Sequence, residues 1–121
     1  MCNRTDLQFF QDILESIDAA LEFTSGYDFE QFFAERKTRS ATIRELEIIG
    51  EAASRISEVK KEEYSAVPWR LMKDFRNVLS HEYFGVNVEV VWDIVQHKLP
   101  ELKIQLDKII SLENNLDKVD K

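Results

Sequence analysis

A chain of 121 residues with one cysteine, 44% apolar and 32% charged residues is sized for a single domain and is not a disulfide-stapled secreted scaffold. Its net charge of −7 works against general coating of a polyanion, so a nucleic acid has to be held by a concentrated basic patch, one that two subunits could build together. The opening Met1-Cys2-Asn3-Arg4-Thr5-Asp6 has no apolar signal core, and no apolar run approaches the ~20 residues that span a bilayer, so a reducing cytoplasm is the simplest setting.

Three Gly and two Pro leave little turn chemistry for hairpins, which favours a few long helices over many strands. Asp6 is placed to cap a first helix reaching about Ser25, with Leu7, Phe10, Leu14, Ile17 and Leu21 on one stripe and Gly26 as the stop. Asp28 and Gln31 have capping-box spacing for a short second helix whose buried side is Phe29, Phe32 and Phe33. Such an aromatic cluster ordinarily serves packing.

A third helix is expected from Thr38 to about Val59, with Ile43, Leu46, Ile49, Ala53 and Ile56 facing the core. Gly50 inside it costs about 1 kcal/mol relative to Ala, which points to close approach by another helix. Glu47 and Glu51, one turn apart, read first as solvated or ion-paired charges, although paired carboxylates also suit metal binding or acid–base work. Lys60-Lys61-Glu62-Glu63 reads as a polar connector, and Pro68 as the start of a fourth helix. That helix buries either Trp69, Met72 and Phe75 or Leu71, Val78 and Leu79, and ends between Ser80 and Phe84. Asn87 caps a fifth helix carrying Val90, Val91, Ile94 and Val95, which Pro100 has to break or kink. Leu102, Leu106 and Ile109 continue the stripe. The domain is expected over 1–112, followed by a frayed, charged tail over 113–121.

No Gly-rich phosphate loop, zinc spacing or nucleophile elbow occurs, so the fourth helix and its end carry any chemistry. Arg70, Lys73 and Arg76 recur every three residues as a basic ridge, with Asn77, Ser80, His81 and Tyr83 directly after. Arginine offers a planar donor fork to phosphate oxygens, histidine titrates near neutral pH, and tyrosine can donate a hydrogen bond or stack on a base. On an ideal helix at ~100° per residue, Tyr83 lies within about 20° of Arg76, Ser80 within about 40°, and His81 about 140° away. A straight helix therefore cannot aim Arg76 and His81 at one phosphate. The reading is that the helix ends before His81 and that a twofold partner completes the cleft. The plain alternatives are a charge–dipole contact for a histidine at a helix end and pairing of Arg76 with Glu47, Glu51 or Glu82.

Arg76-Asn77-Val78-Leu79-Ser80-His81-Glu82-Tyr83 matches the R-x4-H-x-Y form of the motif of HEPN-superfamily ribonucleases. The chain resembles the HepT-like branch in an ordered set of further segments: 43–52 on the third helix, Val67-Pro68-Trp69, 81–86, 91–95 and 99–102. The likeness spans about 5–112. It implies an antiparallel helical bundle of about five helices, forming a homodimer with the motifs near the twofold cleft. It also implies metal-independent cleavage of RNA with no cofactor. His81 then handles the 2′-hydroxyl or leaving-group proton, Arg76 stabilises charge on phosphorus, and Asn77, with Ser80, supports them. Arg70 and Lys73 are the expected RNA contacts. The resemblance further implies a toxin whose partner, a minimal nucleotidyltransferase antitoxin, transfers AMP to Tyr83. The competing expectation is a non-catalytic helical dimer that binds a nucleotide or that partner. His97 is expected to face solvent without a role.

Overall fold

The computed structural model of the protein describes residues 4–80 and 87–119, and within these the side chains of 4–76 and 87–116. Three long helices come first, α1 (Asp6–Thr24), α3 (Arg36–Arg55) and α5 (Trp69–Ser80), joined through the short α2 (Phe29–Ala34) and α4 (Glu58–Glu63). A last rod follows, built of α6 (Val88–Asp93), a π-helical turn (Ile94–Lys98) and α7 (Leu99–Val119). No strand occurs among the described residues, in keeping with the all-α class, and none of their helices is long and apolar enough to cross a membrane. The expected five helices resolve into four long rods with two short helices between them.

The start of α1 shows how one local choice sets a tertiary contact. Thr5, not Asp6, is the cap: its hydroxyl accepts from the Gln8 amide at 3.2 Å and the Gln8 side chain accepts from the Thr5 amide at 2.8 Å. Asp6 is thereby free to accept from the Ser57 amide at 2.9 Å and the Ser57 hydroxyl at 2.8 Å. This ties the beginning of α1 to the second residue past the end of α3, so the two helices run antiparallel. Ser57 also caps α4 by accepting from the Lys60 amide. A helix expected to run to Val59 therefore stops at Arg55, and the expected polar connector is itself helical.

α1 packs against both α3 and α7, and α5 packs against α3. Because α1 is flanked on two sides, its buried face centres on Phe10, Ile13, Ile17 and Ala20, while Leu14 and Leu21 of the expected stripe are only half-buried. α3 buries Leu46, Ile49 and Ala53, with Ile56 following and Ile43 half-buried. On α5 the described side chains favour the first of the two expected sets: Met72 and Phe75 are buried and Trp69 is packed against Phe10. The fold ends α1 as expected, with Gly26 at φ +80°, a conformation that favours a residue without Cβ.

Asp28 and Gln31 form the expected capping box on α2, but only Phe32 is buried. Phe29 is half-buried against Trp92 and Phe33 is exposed, because a six-residue helix at the edge of the bundle sends little more than one side chain inward. Asn87 caps α6 as expected, accepting from the Glu89 and Val90 amides. Pro100 does not break the rod. It lacks the amide that the turn before it would use, and the chain accommodates this by widening over Ile94–Lys98 into a π-helical turn before α7 begins.

The tail expected after residue 112 is instead the continuation of α7, which runs to Val119. Glu113 is buried there. It accepts from the Tyr64 hydroxyl at 2.5 Å and from Lys60 Nζ at 3.1 Å, fastening the last helix to the α4–α5 connection. Burial and then the Glu113 hydrogen bond push the Tyr64 phenol well above its ordinary range. Partial burial works against the Lys60 ammonium, but its bonds to Glu113 and Glu63 outweigh that and raise it too. Both shifts favour the protonated groups in the folded chain. Their stabilisation is therefore complete below pH about 10 and is lost as pH rises above it. Tyr64→Phe is expected to lower unfolding stability by about 1–2 kcal/mol in urea melts at neutral pH, and to flatten the alkaline fall in melting temperature. Equal stability of the two proteins would mean that the phenol contributes nothing through Glu113.

Candidate active site

α3 and α5 approach closely at Gly50. A Cβ added at Gly50 would stand 2.8 Å from Arg76 Cβ and 3.0 Å from both the Arg76 amide nitrogen and the Met72 carbonyl oxygen. The packing reason expected for this glycine is thus a backbone contact with α5 at the position of the candidate arginine. Met72 and Phe75, both buried, hold the inner face of α5. Arg76, next in the chain, projects from the edge of that contact and is exposed.

Its guanidinium does not point freely into solvent. Arg76 Nη1 lies 3.0 Å from Glu51 Oε2, on the residue directly after Gly50. The other carboxylate oxygen of Glu51 accepts from Arg55, at 3.1 Å from Nε and 3.0 Å from Nη2. One carboxylate thus serves two guanidinium groups. Together with Arg44, Glu47, Phe9 and Asp12 they line a cleft of about 300 Å³ walled by α1 and α3, to which Arg76 is the contribution of α5. The ordinary reading of Glu47 and Glu51 as ion-paired charges holds: Arg44 is 4.0 Å from Glu47.

The expected basic ridge on α5 divides. Arg70 and Lys73 line a different groove, shared with Trp69, Asp74, Glu58 and Lys61 on the α4 side. The structure therefore does not bring them into the cleft that Arg76 edges. A three-residue step turns a helix by about 300°, so the ridge drifts about 60° backwards at each step and leaves the face on which it started. Asn77 and Ser80 lie on α5, within Trp69–Ser80. His81 and Tyr83 lie outside the described residues, as does the expected end of the helix between Ser80 and Phe84. His97 is exposed, 3.9 Å from Asp93, and touches none of this.

Arg55 and Arg44 were not singled out from the sequence. The signal was there: Arg44, Glu47, Glu51 and Arg55 follow steps of three, four and four, a charged stripe beside the apolar one on α3.

Residues 13–109 match the family model described as "Ribonuclease HepT-like". The chain belongs to the HepT-like ribonuclease family. Among its HepT-like relatives, the "Probable ribonuclease HepT" of Thermococcus cleftensis is 42% identical over 106 residues, covering 88% of this chain and 96% of that one. A "Putative RNase" of Methanocaldococcus jannaschii is 41% identical over 102 residues, 84% of each chain. Another "Putative RNase", from Caldanaerobacter subterraneus subsp. tengcongensis, is 34% identical over 110 residues, covering 91% of this chain and 98% of its own. No solved structure matches the chain. The matched region includes α3, Gly50, Glu51 and the whole of Arg76 to Tyr83, so the contact that places Arg76 lies inside the HepT-like part of the chain.

Proposed function

We propose that this chain is a metal-independent endoribonuclease and the toxin of a two-protein system, acting as a homodimer in the cytoplasm. The observation that carries the reading is the placement of Arg76. Gly50 admits the α5 backbone at Arg76, whose guanidinium lines the cleft beside Glu51, five residues before His81 in a HepT-like chain.

In this reading His81 takes the proton of an RNA 2′-hydroxyl or gives one to the departing 5′-oxygen. The 2′-oxygen attacks phosphorus, the bond to the 5′-oxygen breaks, and the product ends are a cyclic 2′,3′-phosphate and a 5′-hydroxyl. Arg76 stabilises the negative charge that builds on the phosphorane oxygens, where a pre-set donor fork is worth most. Asn77 and Ser80 support that arrangement, and Arg70 and Lys73, on their separate groove, hold flanking RNA. A second copy supplies the remaining wall of the cleft. Neutralisation follows when a nucleotidyltransferase partner transfers AMP from ATP to the Tyr83 oxygen, releasing pyrophosphate. The added phosphate brings charge and bulk beside Arg76 and repels RNA.

The test is digestion of RNA by purified protein in excess EDTA, with an Arg76→Ala preparation as the control for contaminating nuclease. Cleavage leaving cyclic 2′,3′-phosphate ends is expected. Incubation with the partner and ATP is expected to add the mass of one AMP at Tyr83 and to silence the cleavage. RNA left intact by the unmodified protein, with tight binding to the partner, would favour the non-catalytic dimer instead.

A further inference from the structure

Glu51 has features that stability alone does not explain. Its pair with Arg76 is open to solvent, with side chains 44% and 54% exposed, and exposed pairs contribute only about 0–1 kcal/mol. Yet both of its oxygens are engaged, one by Arg55 from the same helix and one by Arg76 from another. It also directly follows the glycine whose missing Cβ lets the Arg76 backbone approach. The backbone of Arg76 is thereby fixed by Gly50, and its guanidinium by Glu51.

We propose that Glu51 is the positioning residue for Arg76, and that Arg55 braces Glu51 for this task. This rests on the nuclease reading above for its kinetic consequence, but not for its geometric one. An arginine side chain has four rotatable bonds, so a guanidinium left alone samples many placements around a substrate phosphate. Ion pairing through one Nη leaves the rest of the fork open for phosphate oxygens. Arg55 occupies the far oxygen of Glu51 and holds the carboxylate against rotation. Two guanidinium groups on one carboxylate leave the trio of Arg55, Glu51 and Arg76 with a net positive charge, so an arriving phosphate is not simply repelled by Glu51.

The proposal makes a prediction whose sign separates it from its rivals. Removing a negative charge beside an anion site improves anion binding in any case, so KM for RNA is expected to fall or stay level in Glu51→Ala. If Glu51 positions Arg76, kcat falls as well, by about 10-fold to 100-fold, the order expected for a misplaced catalytic group. Glu51→Gln retains a carbonyl oxygen for Arg76 and is expected to recover part of that loss. A latch that merely competes with RNA would give the opposite sign, with kcat rising in both variants. A surface pair with no role would leave kcat unchanged, and either result overturns the proposal.

A second measurement stands apart from RNA cleavage. The guanidinium nitrogen signals of Arg76, assigned by their disappearance in Arg76→Lys, are expected to show slowed rotation in the native protein, lost in Glu51→Ala and weakened in Arg55→Ala. Free rotation of Arg76 in the native protein overturns the positioning role even if RNA is cut. Slowed rotation that depends on Glu51, in a protein that leaves RNA intact, upholds the positioning and removes only the nuclease reading.

Discussion

Arg76→Ala is expected to lower RNA cleavage by about 10²–10³-fold, the loss seen when one pre-set donor to a developing oxyanion is removed, while the protein still melts within a few degrees of the native one. The two halves of this expectation come from different parts of the side chain. The Cβ of Arg76 is the part that meets Gly50, and alanine keeps it. Met72 and Phe75, which anchor α5 in the core, are untouched. What disappears is an exposed guanidinium and its solvent-screened pair with Glu51. His81→Ala is expected to fall by about 10²–10⁴-fold through loss of proton transfer. Arg76→Lys should recover little, because an ammonium keeps the charge but not the planar fork. The check is initial rates on a defined oligoribonucleotide in EDTA, beside thermal melts. Native rates in either alanine variant would remove that residue from the site.

Much of the fold was legible because its signals are local. The Asp28–Gln31 capping box, the Gly26 stop and the Asn87 cap each depend on residues within a few positions, and all three appear as read. Periodicity also located the core face of α3 and, of the two sets offered for α5, included the one holding the buried Met72 and Phe75. The errors are tertiary. Asp6 is the right residue type for a cap at a helix start, but Thr5 is better placed with Gln8, and Asp6 serves Ser57 across the bundle. Glu113 looked like the first residue of a tail because its neighbours are polar. A contact with Tyr64, 49 residues away in sequence, is invisible to any window along the chain.

The candidate site divides along the same line. Residue chemistry picked out Arg76, and the single glycine in α3 carried the hint of a close helix pair. It took the structure to show that these are one feature, with Gly50 meeting Arg76 itself. The step of three from Arg70 through Lys73 to Arg76 suggested one ridge, but helical drift places the first two on another groove. The basic side chains of α5 thus fall on two separate grooves of an acidic chain, and on the proposed reading both meet the RNA strand.

Gly50→Val should be the most damaging single substitution at this interface, for stability and activity together. In an open helix, replacing glycine gains up to about 1 kcal/mol from propensity, less for a β-branched residue. Here the new Cβ meets a backbone nitrogen and a carbonyl oxygen at 3.0 Å and another Cβ at 2.8 Å. None of these is the far end of a flexible side chain, so α3 and α5 must move apart. Overpacking typically costs about 1–3 kcal/mol. The two extra methyl groups of valine place it at or beyond the upper end, so the melting temperature should drop by on the order of 10 °C. Gly50→Ala sets propensity against the same clash and should come out destabilised by about 1 kcal/mol. Any outward shift of α5 also carries Arg76 away from Glu51, so cleavage should fall in Gly50→Ala by more than its small loss of stability explains. A Gly50→Ala protein that is more stable than the native chain and equally active would mean that the helices have room at this contact, and that Arg76 is not placed by it.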